Sequence, residues 1–569
     1  MDKDIPGKFR DLMVKNVYNT IAFVISISFA ILFIIFSIIQ YYAVGTSAYD
    51  LGINAQELWA FIHTGSFYTP LLNENLLVQH FTIFKFIQIP LYYVFPSPIT
   101  LMVFEDIFIA LAGYLVYLIS SEIFKNGINS KKIIFMISLI FLISYELSPY
   151  VESLVSFPFH NMAFLPFFLL LAFYAFIISR RILQIISLLF IISLHANFVY
   201  IVAILLLYEF LYLHTYNGQK IRIWLSRTSK PGGIKDFIIL IISIVLLYGY
   251  VVMAGIIKLH IGGISSYSLT PSTGESGSPV SSPLALISLV FHNPQELISI
   301  IDINKSEKMF YINFMYETTG YIAIFSPLSL IMDLPYILYA LPSTYSSYYQ
   351  IGYQYSALII GAVYISTIMG FYNIVRLYDH FRGNFKDKTV KSITKYWGGN
   401  RGEKRITAIC IVILIAIILA MVPYGLFSPP HIHQSPYQSP MNDIFEEHIS
   451  AAPGYLTDFS NRIPQNSYIL TENTLMPYFS NHLNVYASPF TPGYYNNLSR
   501  FQYIVLQNNS VWANIGGNHS LEIIMNEVLH NGTFSVIDKN SPDGIVILKN
   551  NDIKVSQMRV AKGLNLPKE

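Results

Sequence analysis

Cysteine is all but absent. The single one, Cys410, lies inside the apolar run TAICIVILIAIILAMV, so a disulfide framework and a thiolate metal site are both excluded and the thiol reads as a packing residue. Charge is scarce as well: Asp, Glu, Lys and Arg make up 12% of the 569 residues, against 53% hydrophobic and 15% aromatic ones. No Walker A sequence, no Gly-x-Gly-x-x-Gly and no Gly-x-Ser-x-Gly stands at a strand–helix turn, which leaves ATP-driven transport and serine hydrolysis without support. No two histidines have the spacing of a helical ligand pair, and His431 and His433 in HIH are isolated, so no metal site is expected.

What is there is a series of apolar runs of the length that crosses a bilayer, and these make the chain a multi-pass membrane protein. With a net charge of +2 and the basic residues gathered in short clusters between those runs, charge encodes topology and gives no sign of a nucleic-acid partner. The first run, from about Ile21 to Tyr42, is too long for a signal-peptide core and reads as a signal anchor. Lys3, Lys8, Arg10 and Lys15 precede it, which places residues 1–19 in the cytoplasm and the loop 43–99 outside.

Further spans are expected at 100–124, 132–148, 157–179, 182–194, 197–214, 236–258, 309–325, 328–342, 355–377 and 406–426. Three basic groups then fall inside: Lys125 with Lys131 and Lys132, Arg180 with Arg181, and the loop from Lys220 to Lys235. The loop from Arg376 to Arg405, with nine basic residues against three acidic ones, does so too. The count is about 11 spans over residues 20–426, N-terminus in and C-terminus out. The run HFTIFKFIQIPLYYVFPSP, His80 to Pro98, reads as re-entrant or interfacial, because counting it would put Lys131 and Lys132 outside. GGISSYSLTPSTGESGSPVSSP is a mobile outer loop by composition, and LALISLVFHNPQELISII reads as a surface helix.

After Pro429 the chain turns polar. Strands at 468–472, 484–487 and 501–507, helices at 474–480 and 520–530 and a hairpin across SPDG read as a small extracytoplasmic α/β domain, 427–569. Five Asn-x-Ser/Thr sequons, at Asn304, Asn497, Asn508, Asn518 and Asn531, all fall in segments assigned outside.

The stretch TSAYDLGINAQELWAFIHTG carries Asp50, Asn54 and Glu57 at i, i+4 and i+7. A helix would align them on one face, toward an outer aqueous cavity, with Leu51, Leu58 and Phe61 offset. A carboxylate at the membrane–water boundary can act as a general base once partial desolvation raises its pKa. SAYD also matches a capping box, with Ser47 as N-cap and Asp50 returning to its amide, and spacing alone leaves both readings open.

His80 and Lys85, on adjacent turns, could meet a phosphate at the outer leaflet, or be an interfacial histidine and a snorkelling lysine. His160 and His195 stand at outer span ends, where they are either functional or hydrogen-bonded structural groups, while Glu105 and Asp106 face the protein interior or an outer cavity rather than lipid. Tyr353, Gln354 and Tyr355 open the late span, as belt residues or as a platform for a sugar.

The motifs YDLGINAQELW, HFTIFKFIQIPLYYVFPSPITLMVFEDIFIALAGYLVYLIS, FPFHNMAFLPFFLLLAFYAF, SPLSLIMDLPYILYAL, IGYQYSALIIGAVY and IPQNSYILTENTLMPYFSNHLNVYASP resemble the predicted membrane proteins of domain-of-unknown-function family 2079, over about residues 40–510. That family is similar in layout to the GT-C glycosyltransferases, multi-pass enzymes with an acidic first outer loop and a polyprenyl-phosphate sugar as donor. The resemblance implies a GT-C-like fold and Asp50 as the catalytic base. With it, Glu57 would assist, His80 and Lys85 would steady the donor phosphate, and His160, His195, Gln354 and Tyr355 are further substrate-binding candidates. The chain departs from the family pattern at Gln354, where a histidine is common, at Asn161 and Met162 in place of Pro and Glu, and at LHANF, which lacks a Lys-Glu pair.

The expected function is transfer of a sugar from a lipid-phosphate carrier to an extracytoplasmic acceptor, in a cell membrane of loosely archaeal character. The competing expectation is a non-catalytic transporter or an envelope scaffold displaying the C-terminal domain.

Overall fold

The computed structural model describes residues 5–126, 130–215, 234–261, 291–384, 451–488, 498–507, 532–538 and 544–552, with a few isolated positions between. The chain divides into two compact units. One, the helical unit, comprises 1–39, 76–90 and 99–446; the other, the sheet-bearing unit, comprises 40–75, 91–98 and 447–569.

Five helices of the described residues are long and apolar enough to cross a membrane: Val17–Tyr42, Pro98–Phe124, Ala196–Leu213, Phe237–Ile261 and Ile360–Leu377. A sixth results if Lys131–Glu146 and Pro149–Ser156, bent by 44° at their junction, are one span. The chain is therefore a multi-pass membrane protein. Ile241, Val245, Leu246 and Tyr248 on the fourth of these helices, and Ile31, Leu32 and Ile35 on the first, are exposed, and hydrocarbon is the solvent that suits them. Ile360–Leu377 is the opposite case, with Ile360, Val363, Tyr364, Ile365 and Ile368 buried to 1% or less. Gly370 is the point of closest approach on that helix: a Cβ there would overlap the carbonyl oxygen of Ile322.

The expected count of about 11 spans is not reached among the described residues, for two physical reasons and because one expected span lies outside them. First, Leu165–Ile177 and Arg181–Leu194 are 13 and 14 residues long, about 20 Å of helix each, short of a ~30 Å hydrocarbon core. They turn back on each other through Ser179 at φ 58°. Second, 309–325 and 328–342 are not continuous helices: Lys305–Glu317 ends before Gly320 and Tyr321, both at positive φ, and the chain continues through 3-10 turns to Leu334–Ala340. Third, the span expected at 406–426 lies outside the described residues, as do the basic loop ahead of it, the loop from 262, residues 520–528 of the expected helix and the SPDG turn. Within 80–98 the chain forms only Lys85–Val94, a 10-residue helix with Pro90 inside it.

In the sheet-bearing unit a short hairpin pairs β1 (Tyr68–Thr69) with β2 (Glu74–Asn75). The main sheet has the order β4-β3-β5-β7-β6, with β3 Tyr468–Glu472, β4 Asn484–Ser488, β5 Tyr503–Gln507, β6 Phe534–Asp538 and β7 Ile545–Asn550. β3 is parallel to both β4 and β5, while β7 runs antiparallel to β5 and β6. β3 and β5 are buried on both faces, which is why their apolar stretches, Tyr468–Leu470 and Tyr503–Leu506, run on without alternation. Leu470, Phe501, Ile504, Leu506, Phe534 and Leu548 form the core on one face.

Candidate functional site

Asp50 lies in the sheet-bearing unit, in a π-helical turn, Ala48–Gly52, that precedes the α-helix Ile53–Thr64. The Gly52 amide donates to the Ser47 carbonyl at 3.0 Å, the i→i+5 bond of a π turn. The capping box is not formed: the Ser47 side chain makes no cap bond. Instead Asn473, just past the end of β3, accepts the Ala48 amide on its Oδ1 at 2.9 Å. Gly52 is pressed on Met476, whose Sδ a Cβ at 52 would overlap. Gln56, fully buried, ties the following helix down by donating to the Val485 carbonyl at 3.1 Å and accepting from Thr69 Oγ1 at 2.5 Å.

The turn leaves the Asp50 carboxyl half-buried and without a hydrogen-bond or ion-pair partner among the described residues. Burial alone pushes its pKa up to about 7. A carboxyl that titrates near neutrality and is not spent on a salt bridge has the properties of a general base. Its neighbours on the expected polar stripe are different. Asn54 is buried and donates to the Asp50 carbonyl at 2.8 Å, and Glu57 is fully buried. The extra residue in the π turn breaks the i, i+4, i+7 alignment, so the water-facing stripe reduces to Asp50.

Lys85 belongs to the helical unit. It is buried and is the first residue of the helix Lys85–Val94, the end at which a helix dipole favours an anion. The segment before it is pinned: Phe84 N donates to the Ser193 carbonyl at 3.0 Å, and Phe81, at φ 50°, is buried against Ala196 and Ala254. His80 precedes this turn, and its side chain lies outside the described residues.

His160 and His195 share one local device. The Nδ1 of His160 accepts the Met162 amide at 3.2 Å and the Nδ1 of His195 accepts the Asn197 amide at 3.0 Å, so each caps a 3-10 turn. With Nδ1 committed as an acceptor, the neutral imidazole carries its proton on Nε2. Burial, and then the charge of Lys85, lowers the His160 pKa to about 4. Burial, then Lys258 and His160, lowers that of His195 to about 3. The four groups are therefore electrostatic neighbours: two lysines and two neutral imidazoles. Around them, Glu105 Oε1 accepts the His160 amide at 2.9 Å and Gln88 donates to Asn161 Oδ1 at 2.7 Å.

Gln354 is buried in a 3-10 turn packed on Asn161–Phe164, and its Oε1 has no hydrogen-bond partner. Tyr355 packs edge-on to Tyr348, with ring centroids 4.2 Å apart. The pattern reading missed Lys258, an ammonium in the last turn of an apolar helix, where the cost of a buried charge is itself a signal. Glu105, singled out as facing inward, supports the His160 loop. Among the described residues no three His, Cys, Asp or Glu side chains converge as metal ligands.

The family model described as predicted membrane protein (DUF2079) matches residues 40–547. No curated protein matches the chain. Among solved structures the chain is similar to ArnT from Cupriavidus metallidurans bound to undecaprenyl phosphate. The two are 10% identical over 91% of this chain and 97% of ArnT, with a TM-score of 0.43. It is also similar to the archaeal oligosaccharyltransferase AglB from Archaeoglobus fulgidus, in complex with an inhibitory peptide and a dolichol-phosphate. There the identity is 12%, the coverage 85% of this chain and 69% of AglB, and the TM-score 0.39.

Proposed function

The chain belongs to the DUF2079 family of membrane proteins, and from that premise we propose that it is a GT-C-like glycosyltransferase that moves a sugar from a polyprenyl-phosphate carrier to an acceptor outside the cell. The observation that carries the reading is the set of two buried lysines, Lys85 and Lys258, with two half-buried imidazoles, His160 and His195, as their electrostatic neighbours. Two lysine ammonium groups beside two imidazole donors suit an anionic lipid headgroup. Two imidazoles held neutral with their protons on Nε2 add donors that need no further charge.

In this scheme the acceptor oxygen attacks the anomeric carbon, its proton passes to Asp50, and the carbon–oxygen bond to phosphate breaks. The departing polyprenyl phosphate takes the electron pair. Glu57, buried in the following helix Ile53–Thr64, assists or orients Asp50. The N-terminus lies in the cytoplasm, and the sheet-bearing unit lies outside.

Binding of polyprenyl phosphate to the purified protein, read by native mass spectrometry against phosphatidylglycerol as the anionic background, tests the donor half of the reading. Selective retention is expected, falling about tenfold or more in Lys85→Ala, since a hydrogen bond to a charged group contributes about 1.5–3 kcal/mol. Retention no better than that of phosphatidylglycerol would leave the non-catalytic reading in its place.

A further inference from the structure

A second polar feature of the sheet-bearing unit is not used by this chemistry. Leu470 on β3 is in register with Tyr486 on β4, so Tyr468, two residues before Leu470, rises from the same face of the sheet. The Tyr468 and Tyr486 rings stack with centroids 6.3 Å apart at 18°. Arg500 lies over the Tyr486 ring and that of Phe501: its guanidinium carbon is 4.9 Å from the first ring centroid and 4.7 Å from the second. Tyr68 of β1 completes the group, 41% exposed and fixed by a 2.6 Å bond from its hydroxyl to Asn73 Oδ1. The proximity shows in the titration of the rings: burial pushes Tyr486 up to about 12, Arg500 opposes it, and Tyr468 and Tyr68 add to it.

Two facts about Arg500 stand out. Among the described residues its buried Nε has no hydrogen-bond partner and no carboxylate pairs with it. A guanidinium donor withdrawn from water and left unmet costs free energy, and its planar fork fits a carboxylate or phosphate in two parallel bonds. Half-buried tyrosine faces beside it suit the C–H faces of sugar rings. We infer that Tyr68, Tyr468, Tyr486 and Arg500 form a binding site for an acidic saccharide, with the guanidinium taking the anionic substituent and the rings stacking on the sugar. The site stands independently of Asp50 and of the donor lipid; in the transferase scheme such a saccharide is the acceptor.

The full-length protein in phosphatidylcholine nanodiscs, titrated calorimetrically with tetragalacturonate, a 6-phosphorylated maltotetraose and plain maltotetraose, tests this without any donor present. At least one acidic ligand is expected to bind about tenfold or more tighter than maltotetraose, and Arg500→Gln to remove that preference. Whichever acidic arm binds identifies the anion. Tyr68→Ala, at an exposed position, is expected to weaken binding of the same ligand by about two- to tenfold without disturbing the fold. Equal or no binding of the acidic and neutral sugars would overturn the assignment. So would an undiminished preference in Arg500→Gln, or an unchanged affinity in Tyr68→Ala. Loss of polyprenyl-phosphate retention in Arg500→Gln would overturn it too, by assigning the guanidinium to the donor lipid.

Discussion

In the helical unit the ionisable side chains come in company: Lys85 with His160, Lys258 with His195, Glu105 on the His160 amide. In the sheet-bearing unit Asp50 has no such company, and burial is the one influence on its titration. A low-dielectric interior tolerates charge when several groups share the cost. An acid that must take up a proton is served by the reverse, partial burial with nothing holding it ionised. The first arrangement suits holding an anion, and the second suits moving a proton.

If that contrast is functional, the two regions should fail differently. The largest effect is expected at Asp50: Asp50→Asn should lower sugar transfer by about 10²–10⁴-fold, the usual contribution of a general base, while retention of polyprenyl phosphate stays unchanged. Lys85→Ala should show the reverse weighting, with lipid retention down about tenfold or more. A pH series sharpens the difference. Transfer should climb with pH and level off above about 7, where Asp50 is ionised, whereas lipid retention should hold across that range.

Stability carries the same signature with opposite sign. A folded-state pKa of about 7 lies above the ordinary carboxyl value of 3.8, so the contribution of Asp50 is fully present below about pH 4 and is lost as pH rises toward 7. Asp50→Asn should therefore raise the melting temperature at pH 8, where a capping aspartate would lower it. The smallest expected effect is structural: Asn473→Ala, which strands the Ala48 amide, should cost about 1–3 kcal/mol in thermal or denaturant unfolding.

Much of the helical unit is legible in the sequence, because an apolar run of more than 20 residues such as the one ending at Tyr42 has few alternatives. The segment 309–342 is not, since its mean hydropathy says nothing about where Gly320 and Tyr321 take positive φ and end the helix. Asp50 is legible by residue type and by its place after the first apolar run. Its surroundings are not: the bond that displaces the Ser47 cap comes from Asn473, 425 residues away, and no local pattern carries that information. The same holds for Lys258 and His195, which become neighbours only when Phe237–Ile261 packs beside the 3-10 turn at 196–198. The guanidinium of Arg500 likewise becomes meaningful only when β4 brings Tyr486 beneath it, stacked on Tyr468 of β3.

The central claim is that this chain transfers sugar from a lipid phosphate with Asp50 as base. The direct measurement is release of polyprenyl phosphate from a panel of polyprenyl-phosphate hexoses by the purified protein in the presence of extracted cell-envelope glycans, wild type beside Asp50→Asn. The account predicts release from at least one donor by the wild type, reduced by about two orders of magnitude or more in the variant. Equal release by both proteins, or none by the wild type, would contradict it.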